Sequence, residues 1–135
     1  MSLSQLAKQS YKNTQRELTD DKTMELRVFS QITSRMKAAD IDAPGGMSAL
    51  AEALTDNMKL WNILLVDLSM DSNPLPQDLK AQIISLARFT QSHTLKVLGG
   101  TATVDVLVDI NTAMINGMRA ARENAQNAET IAKVA

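Results

Sequence analysis

The clearest helical pattern in the chain runs from Asp56 to Leu98: DNMKLWNILLVDLSMDSNPLPQDLKAQIISLARFTQSHTLKVL. It contains the only tryptophan, the only histidine and two of the three prolines. Apolar residues recur at steps of three and four on either side of the segment MDSNPLP, which is the pattern of amphipathic helices. Pro76 suits the first position of a helix, where its missing N–H is not needed. The stretch therefore predicts two long helices joined by a short turn.

The first of these helices carries more apolar surface than one core face requires. One face holds a regular stripe of large side chains: Leu50, Leu54, Trp61, Leu64, Leu65 and Leu68. Leu60, Ile63 and Val66 lie outside this stripe, so the middle of the helix is apolar almost all round. A helix of this kind is either central in its bundle or docked against a partner, and both interpretations stay open.

Two asparagines interrupt apolar stripes. Asn57 lies one turn before Trp61, and Asn111 lies in the middle of the apolar face of the last helix. That face consists of Val104, Leu107, Val108, Met114, Ile115 and Met118. A buried asparagine without a partner costs about 1–3 kcal/mol, so each must find a hydrogen bond or lie at a contact with another chain. One interpretation is a satisfied polar group that fixes helix register; the other is a recognition residue.

The rest of the chain predicts further helices and no strands. An amphipathic face from Met24 to Met36 follows the capping residues 19–21, and a glycine- and proline-containing loop at 40–46 separates it from the next helix. Gly99 and Gly100 end the helix that follows Pro76. The predicted fold is all-α, a small bundle of four main helices in one domain over residues 1–118. Residues 1–18 are expected to form a short helix or a flexible arm, and the polar, alanine-rich residues 119–135 a weakly anchored or frayed extension of the last helix.

Composition narrows the function classes. The net charge of -1, from 14 basic and 15 acidic residues, gives no general attraction to nucleic acid or an anionic membrane. The first residues lack the apolar segment of a signal peptide, and no apolar run is long enough to span a bilayer, so a cytoplasmic location is expected. The eight methionines suit either a loosely packed core or an adaptable binding groove.

No catalytic or cofactor site is predicted. His93 is the only histidine and cysteine is absent, so the usual histidine- or cysteine-based constellations cannot be assembled within the chain. Asp67, Asp105 and Asp109 do not form a recognisable metal-binding loop. The glycine pairs lack the lysine and the spacing of a phosphate-binding loop. We therefore expect a protein without enzymatic activity, metal or cofactor.

Several segments, in this order, resemble one known family. They are MELRVFSQITSRMKAA (24–39), ALTDNMKLWNILLVDL (53–68), NPLPQDLKAQIISLARFTQSHTLKVLGG (73–100) and LVDINTAMINGM (107–118). The characteristic points are the asparagine before Leu60-Trp61, Asn73-x-Leu75-Pro76, Ser85-Leu86, His93-Thr94, and Ile110-Asn111 with Gly117. With these residues the chain resembles the flagellar biosynthesis regulator FlaF family. The resemblance does not extend to the tail after Arg119.

The resemblance implies a non-enzymatic, post-transcriptional regulator of flagellin synthesis and flagellum assembly. A flagellin-binding export chaperone is consistent with spare apolar surface, because a helical protein can hold an amphipathic helix in a groove. The residues that we hypothesise to bind the partner are Asn57, Leu60, Trp61, Leu65, Phe89, His93 and Asn111. Two alternatives stay open: an adaptor acting through the translational regulator FlbT, and a homodimer that uses the spare apolar faces for self-association.

Overall fold

The computed structural model describes residues 26–134, and within them the chain forms four helices. Helix α1 covers residues 26–38, α2 Gly46–Ser69, α3 Gln77–Leu98 and α4 Asp105–Val134. No strand occurs in this part of the chain, which confirms the all-α prediction. The short helix or flexible arm predicted for residues 1–18 lies outside the described residues.

Helices α1 and α2 run antiparallel. The ring of Phe29 lies edge-on against Trp61, with 5.9 Å between the ring centroids, and Arg35 Nη1 donates a hydrogen bond of 2.8 Å to Asp56 Oδ2. Both partners of this ion pair are more than a third exposed, so it contributes at most about 1 kcal/mol to stability. The two contacts fix the register, and residue 26 lies about level with residue 64 of α2.

The turn between α1 and α2 depends on a glycine. The backbone N–H of Ala43 donates to the carbonyl of Asp40, and the N–H of Gly46 donates to the carbonyl of Ala43. A β-carbon at Gly46 would overlap the carbonyl oxygen of Asp40. Only glycine allows the backbone to approach so closely, and α2 begins at this residue.

The turn between α2 and α3 is closed by Asn73. Its side-chain Nδ2 donates to Asp67 Oδ2 at 3.1 Å, and its Oδ1 accepts the backbone N–H of Leu75 at 3.0 Å. Pro76 then precedes the first residue of α3. Farther along the hairpin, Gln91 Nε2 donates to Asn62 Oδ1 at 2.7 Å, so α2 and α3 are antiparallel neighbours.

The core consists of two apolar clusters. Cluster one, toward the start of α2, consists of Ile32, Met36, Leu50, Ala53, Leu54, Val97 and Leu107. Cluster two, toward the end of α2, consists of Phe29, Trp61, Leu68, Ile83, Ala87 and Ile115. Leu60 is half-buried and packs against both. All four helices contribute to the bundle, because each cluster contains residues from each of them.

Helix α4 extends beyond the residues that pack against the core. Leu107, Asn111 and Ile115 are buried at steps of four residues. Met118 is the last apolar residue of α4 that packs against the core. From 119 to 133 every residue is exposed apart from Arg122, although the helix continues to Val134. The polar, alanine-rich tail is thus a helical projection from the bundle.

Candidate functional site

A layer of buried polar side chains lies at the boundary between the two apolar clusters. Each helix places its buried polar residues between its own members of the two clusters. On α2, for example, Asn57 lies between Leu54 of cluster one and Trp61 of cluster two. The polar layer consists of Thr33, Asn57, Thr90, Thr94 and Asn111, all buried.

Asn111 joins three helices within this layer. Its Oδ1 accepts the indole N–H of Trp61 at 3.0 Å. Its Nδ2 donates to Asn57 Oδ1 at 2.8 Å and to Thr33 Oγ1 at 3.1 Å. The amide orientation is dictated by Trp61, because an indole nitrogen is only a donor and requires an oxygen opposite it. The hydroxyl of Thr33 in turn donates to the carbonyl of Phe29 at 2.6 Å.

These hydrogen bonds specify how the helices align. Sliding α4 by one residue would turn Asn111 by about 100° away from its three partners and leave buried polar groups unpaired. Each unpaired group would cost about 1–3 kcal/mol, which discriminates strongly against the shifted packing. The polar layer therefore favours one register of α1, α2 and α4.

The layer is not fully satisfied. Asn57 Nδ2 and Thr90 Oγ1 are buried and have no hydrogen-bond partner. The hydroxyl of Thr94, one turn after Thr90, donates to the backbone carbonyl of Thr90 at 2.6 Å. The bundle thus gains specificity at some cost in stability, as buried polar groups at helix interfaces commonly do.

The burial of this layer counts against the hypothesis that Trp61 lines a groove for a partner. The side chains of Asn57, Trp61 and Asn111 have no exposed surface, and Asn111 is hydrogen-bonded to both of the others. They are therefore not surface contact residues in this structure. Of the two interpretations of the asparagines, the hydrogen bonds favour the one in which they fix helix register. The sequence could not distinguish the two, because the partners lie on helices distant in the chain.

The other four candidate residues lie nearer the surface, two of them on α2 and two stacked on each other on α3. Leu60 and Leu65 are half-buried and pack against the core clusters. Phe89 is 45% exposed and stacks on His93, with 5.3 Å between the ring centroids and 18° between the ring planes. His93 Nε2 donates to the carbonyl of Thr103 at 2.8 Å, which ties the aromatic pair to the loop before α4. A role for these residues in binding a partner stays a prediction.

The structure also exposes apolar residues that were not among the candidates. Ile63, Val66 and Leu95 are 67%, 58% and 66% exposed. The signal was present in the sequence, since Ile63 and Val66 lie outside the apolar stripe of α2. The sequence alone could not show that these residues are exposed, because a residue outside one apolar stripe can still be covered by another helix.

Among residues 26–134, no group of three or more histidine, cysteine or acidic side chains is arranged to hold a metal ion. None of the described helices is long and apolar enough to cross a membrane.

Comparison with known proteins gives one decisive result. The family model for the flagellar protein FlaF matches residues 7–118, which is most of the chain. The chain belongs to the FlaF family. Comparison with the curated proteins and with the solved structures gave no significant match.

The extent of the FlaF match agrees with the packing of the described helices. The match ends at Met118, the last apolar residue of α4 that contacts the core, so the helical projection lies outside the family region. It begins at residue 7, so the family region also includes residues before α1. Membership in the FlaF family confirms the resemblance seen in the sequence and gives the protein a role connected with the flagellum.

Proposed function

We propose that this member of the FlaF family binds flagellin in the cytoplasm as an export chaperone. In this proposal the protein is not an enzyme: it regulates flagellin synthesis and flagellum assembly after transcription, through reversible binding alone. A flagellin monomer exposes amphipathic terminal helices until it assembles, and these helices would be held in an apolar groove. The proposal is supported by family membership and by apolar side chains that the bundle leaves exposed.

The observation that carries the proposal is the exposed aromatic pair on α3. Phe29 and Trp61 are fully buried, whereas Phe89 is 45% exposed. Its ring is held against His93, which is itself bonded to the loop before α4. Such a restrained ring presents a flat apolar surface and loses little conformational entropy on binding.

Neighbouring side chains extend this surface toward α4. Leu86 lies one turn before Phe89 on the same side of α3. Leu86 is half-buried and packs against cluster two, as do Ile110 and Met114 of α4. An apolar helix of the partner that lies between α3 and α4 would contact Phe89 and, beside it, the flexible side chains of Leu86, Ile110 and Met114. Leucine and methionine can adjust to the partner's contour, which suits a chaperone.

The test is a calorimetric titration of the protein with flagellin monomer. Phe89→Ser removes an exposed ring, so the fold should be retained while Kd rises about tenfold, equivalent to about 1.4 kcal/mol. Leu95→Ser is the matched control, because Leu95 is also exposed, lies on the same helix and points about 120° away from Phe89. It should change Kd less than about twofold.

Each outcome of the titration is informative. Saturable binding that is weakened by Phe89→Ser and not by Leu95→Ser supports the proposed function and its site. Binding that is equally strong in both variants retains the chaperone role and rejects the aromatic pair as its site. Absence of binding at flagellin concentrations of about tens of micromolar, which correspond to a binding free energy weaker than about -7 kcal/mol, would overturn direct chaperoning. A FlbT-type regulator would then be the next partner to titrate.

A further inference from the structure

A glycine lies within α4 at a position where the packing of the described helices does not require one. Gly117 is helical and exposed, and its φ angle is not positive, unlike those of Gly45 and Gly100. Apart from its chain neighbours and the local helix backbone, no atom lies within 4 Å of the position that its β-carbon would occupy. Glycine destabilises a helix relative to alanine, because its backbone loses more conformational freedom on folding. Alanine would therefore suit the isolated bundle better than glycine.

Gly117 lies on the face of α4 that adjoins the surface proposed for flagellin. It follows Ile110 by two helical turns, so it lies about 10 Å farther along α4 and points within about 20° of Ile110. Ile110 and Met114 pack against cluster two and form the α4 side of that surface. His93, which is bonded to the loop before α4, sets the Phe89 end of the groove near the beginning of α4. A helix that leaves Phe89 along the groove, away from this loop, therefore reaches Gly117.

The groove is apolar at the Gly117 end as well. Helices α3 and α4 are antiparallel neighbours joined by a short loop, and Ile83 and Ile115 both belong to cluster two. Leu79 precedes Ile83 by one turn, so it lies near the level of Gly117, and it is 40% exposed. Met118, beside Gly117, is half-buried, and its flexible side chain can adjust to a partner. Apolar contacts are thus available on both sides of the glycine.

A glycine between apolar side chains lets a second helix come close. Without a β-carbon the backbone of α4 is open to contact at Gly117, and close approach of the backbone to a bound group is a common use of glycine. Small residues serve the same purpose where helices pair in membranes. Close approach also brings the apolar side chains on either side of the glycine into contact with the bound helix. In such an arrangement the helix stability lost at Gly117 is exchanged for binding.

We propose that the flagellin helix held in the groove between α3 and α4 contacts the backbone of α4 at Gly117, and that the absence of a side chain there determines which helices fit. Phe89 and Gly117 then contact the two ends of one helical segment. The contact depends on the proposed function, because the bound helix is that of the flagellin monomer. It adds a residue that sets how closely the partner approaches, which the exposed aromatic pair does not do.

The test is a calorimetric titration of flagellin monomer with Gly117→Ala and Gly117→Leu. A side chain at this position holds the two backbones apart, so Kd should rise about fivefold in the alanine variant and more than about thirtyfold in the leucine variant. Gly117→Ala should at the same time raise the Tm of the free protein, because alanine lowers the entropy of the unfolded chain. Weaker binding together with a higher Tm cannot result from a loss of fold.

The adjacent residue provides a matched control. Asn116 is also helical and exposed, and it points about 100° away from Gly117, outside the groove. Asn116→Ala and Asn116→Leu should each change Kd less than about twofold. The two pairs of variants introduce the same side chains into the same turn of α4, so they differ only in the face that is changed.

The outcomes separate this contact from the proposed function. Weaker binding in both Gly117 variants and unchanged binding in both Asn116 variants support the contact. An unchanged Kd in either Gly117 variant overturns it, and so does equal weakening by Gly117→Leu and Asn116→Leu. If Phe89→Ser still weakens binding in those cases, the proposed function survives without the contact. Absence of flagellin binding by the native chain overturns both together.

Discussion

The two parts of α4 have the same secondary structure and opposite environments. From Asp105 to Met118 the helix buries Leu107, Asn111 and Ile115 against the other helices. From 119 to 133 all residues except Arg122 are exposed. The first part is held by packing and by the hydrogen bonds of Asn111, whereas the second is supported mainly by its alanine, arginine, glutamate and glutamine residues, which favour helix intrinsically.

A helix can therefore extend beyond the domain to which it belongs. Good local helix formers carry α4 well past the core, but they add little to global stability because most helical stability in proteins comes from tertiary packing. The family region ends where the packing ends. The projecting part should open independently of the bundle, while the packed part should open only with global unfolding.

The largest expected difference between the two parts comes from matched asparagine substitutions. Asn111→Ala leaves the indole N–H of Trp61 and the amide of Asn57 without their hydrogen-bond partner. We expect it to lower the free energy of unfolding by roughly 3–5 kcal/mol, combining unpaired polar groups with a cavity. Asn124→Ala, in the exposed part, should change it by less than about 0.5 kcal/mol. Urea unfolding followed by circular dichroism measures both, and similar losses in the two variants would contradict the comparison.

Isoleucine substitutions test packing without the complication of hydrogen bonds. Ile115 is 7% exposed and belongs to cluster two, whereas Ile131 is 68% exposed. Ile115→Ala should destabilise the protein by roughly 2–4 kcal/mol, because it removes buried methyl groups and leaves a cavity. Ile131→Ala should have an effect within about 0.5 kcal/mol. A large loss from Ile131→Ala in the same unfolding experiment would show that the projecting helix packs against another chain in solution.

The smallest expected effect is a gain in stability near the junction of the two parts. Gly117 is helical and exposed, and apart from its chain neighbours and the local helix backbone no atom lies within 4 Å of the position its β-carbon would occupy. Gly117→Ala should therefore stabilise the protein by about 0.4–1 kcal/mol, through lower entropy of the unfolded chain. Thermal unfolding would record this as a rise in Tm. A fall in Tm would mean that this stretch of α4 is more closely packed than its exposure indicates.

The sequence predicts the helices well because their signals are local. The apolar stripes of α2 and α4 and the glycines and prolines between helices act within a few residues, so they can be recognised along the chain. The signal that α4 continues through the alanine-rich tail is also local, because it lies in the residues of the tail itself. The same local pattern could not distinguish, for either asparagine, between fixing helix register and recognising a partner. It also made Trp61 a candidate for lining a partner-binding groove, although the residue is buried.

The all-α class, the faces of each helix and membership in the FlaF family can thus be recognised along the sequence. Which faces are covered becomes visible in the packed bundle: Asn57 is fully buried while Val66, on the same helix, is exposed. The cause is that burial depends on contacts between distant segments. Trp61 meets Asn111 across 50 residues of chain, and Asn111 meets Thr33 across 78. No periodicity within one helix predicts these contacts, because they form only when all four helices pack together.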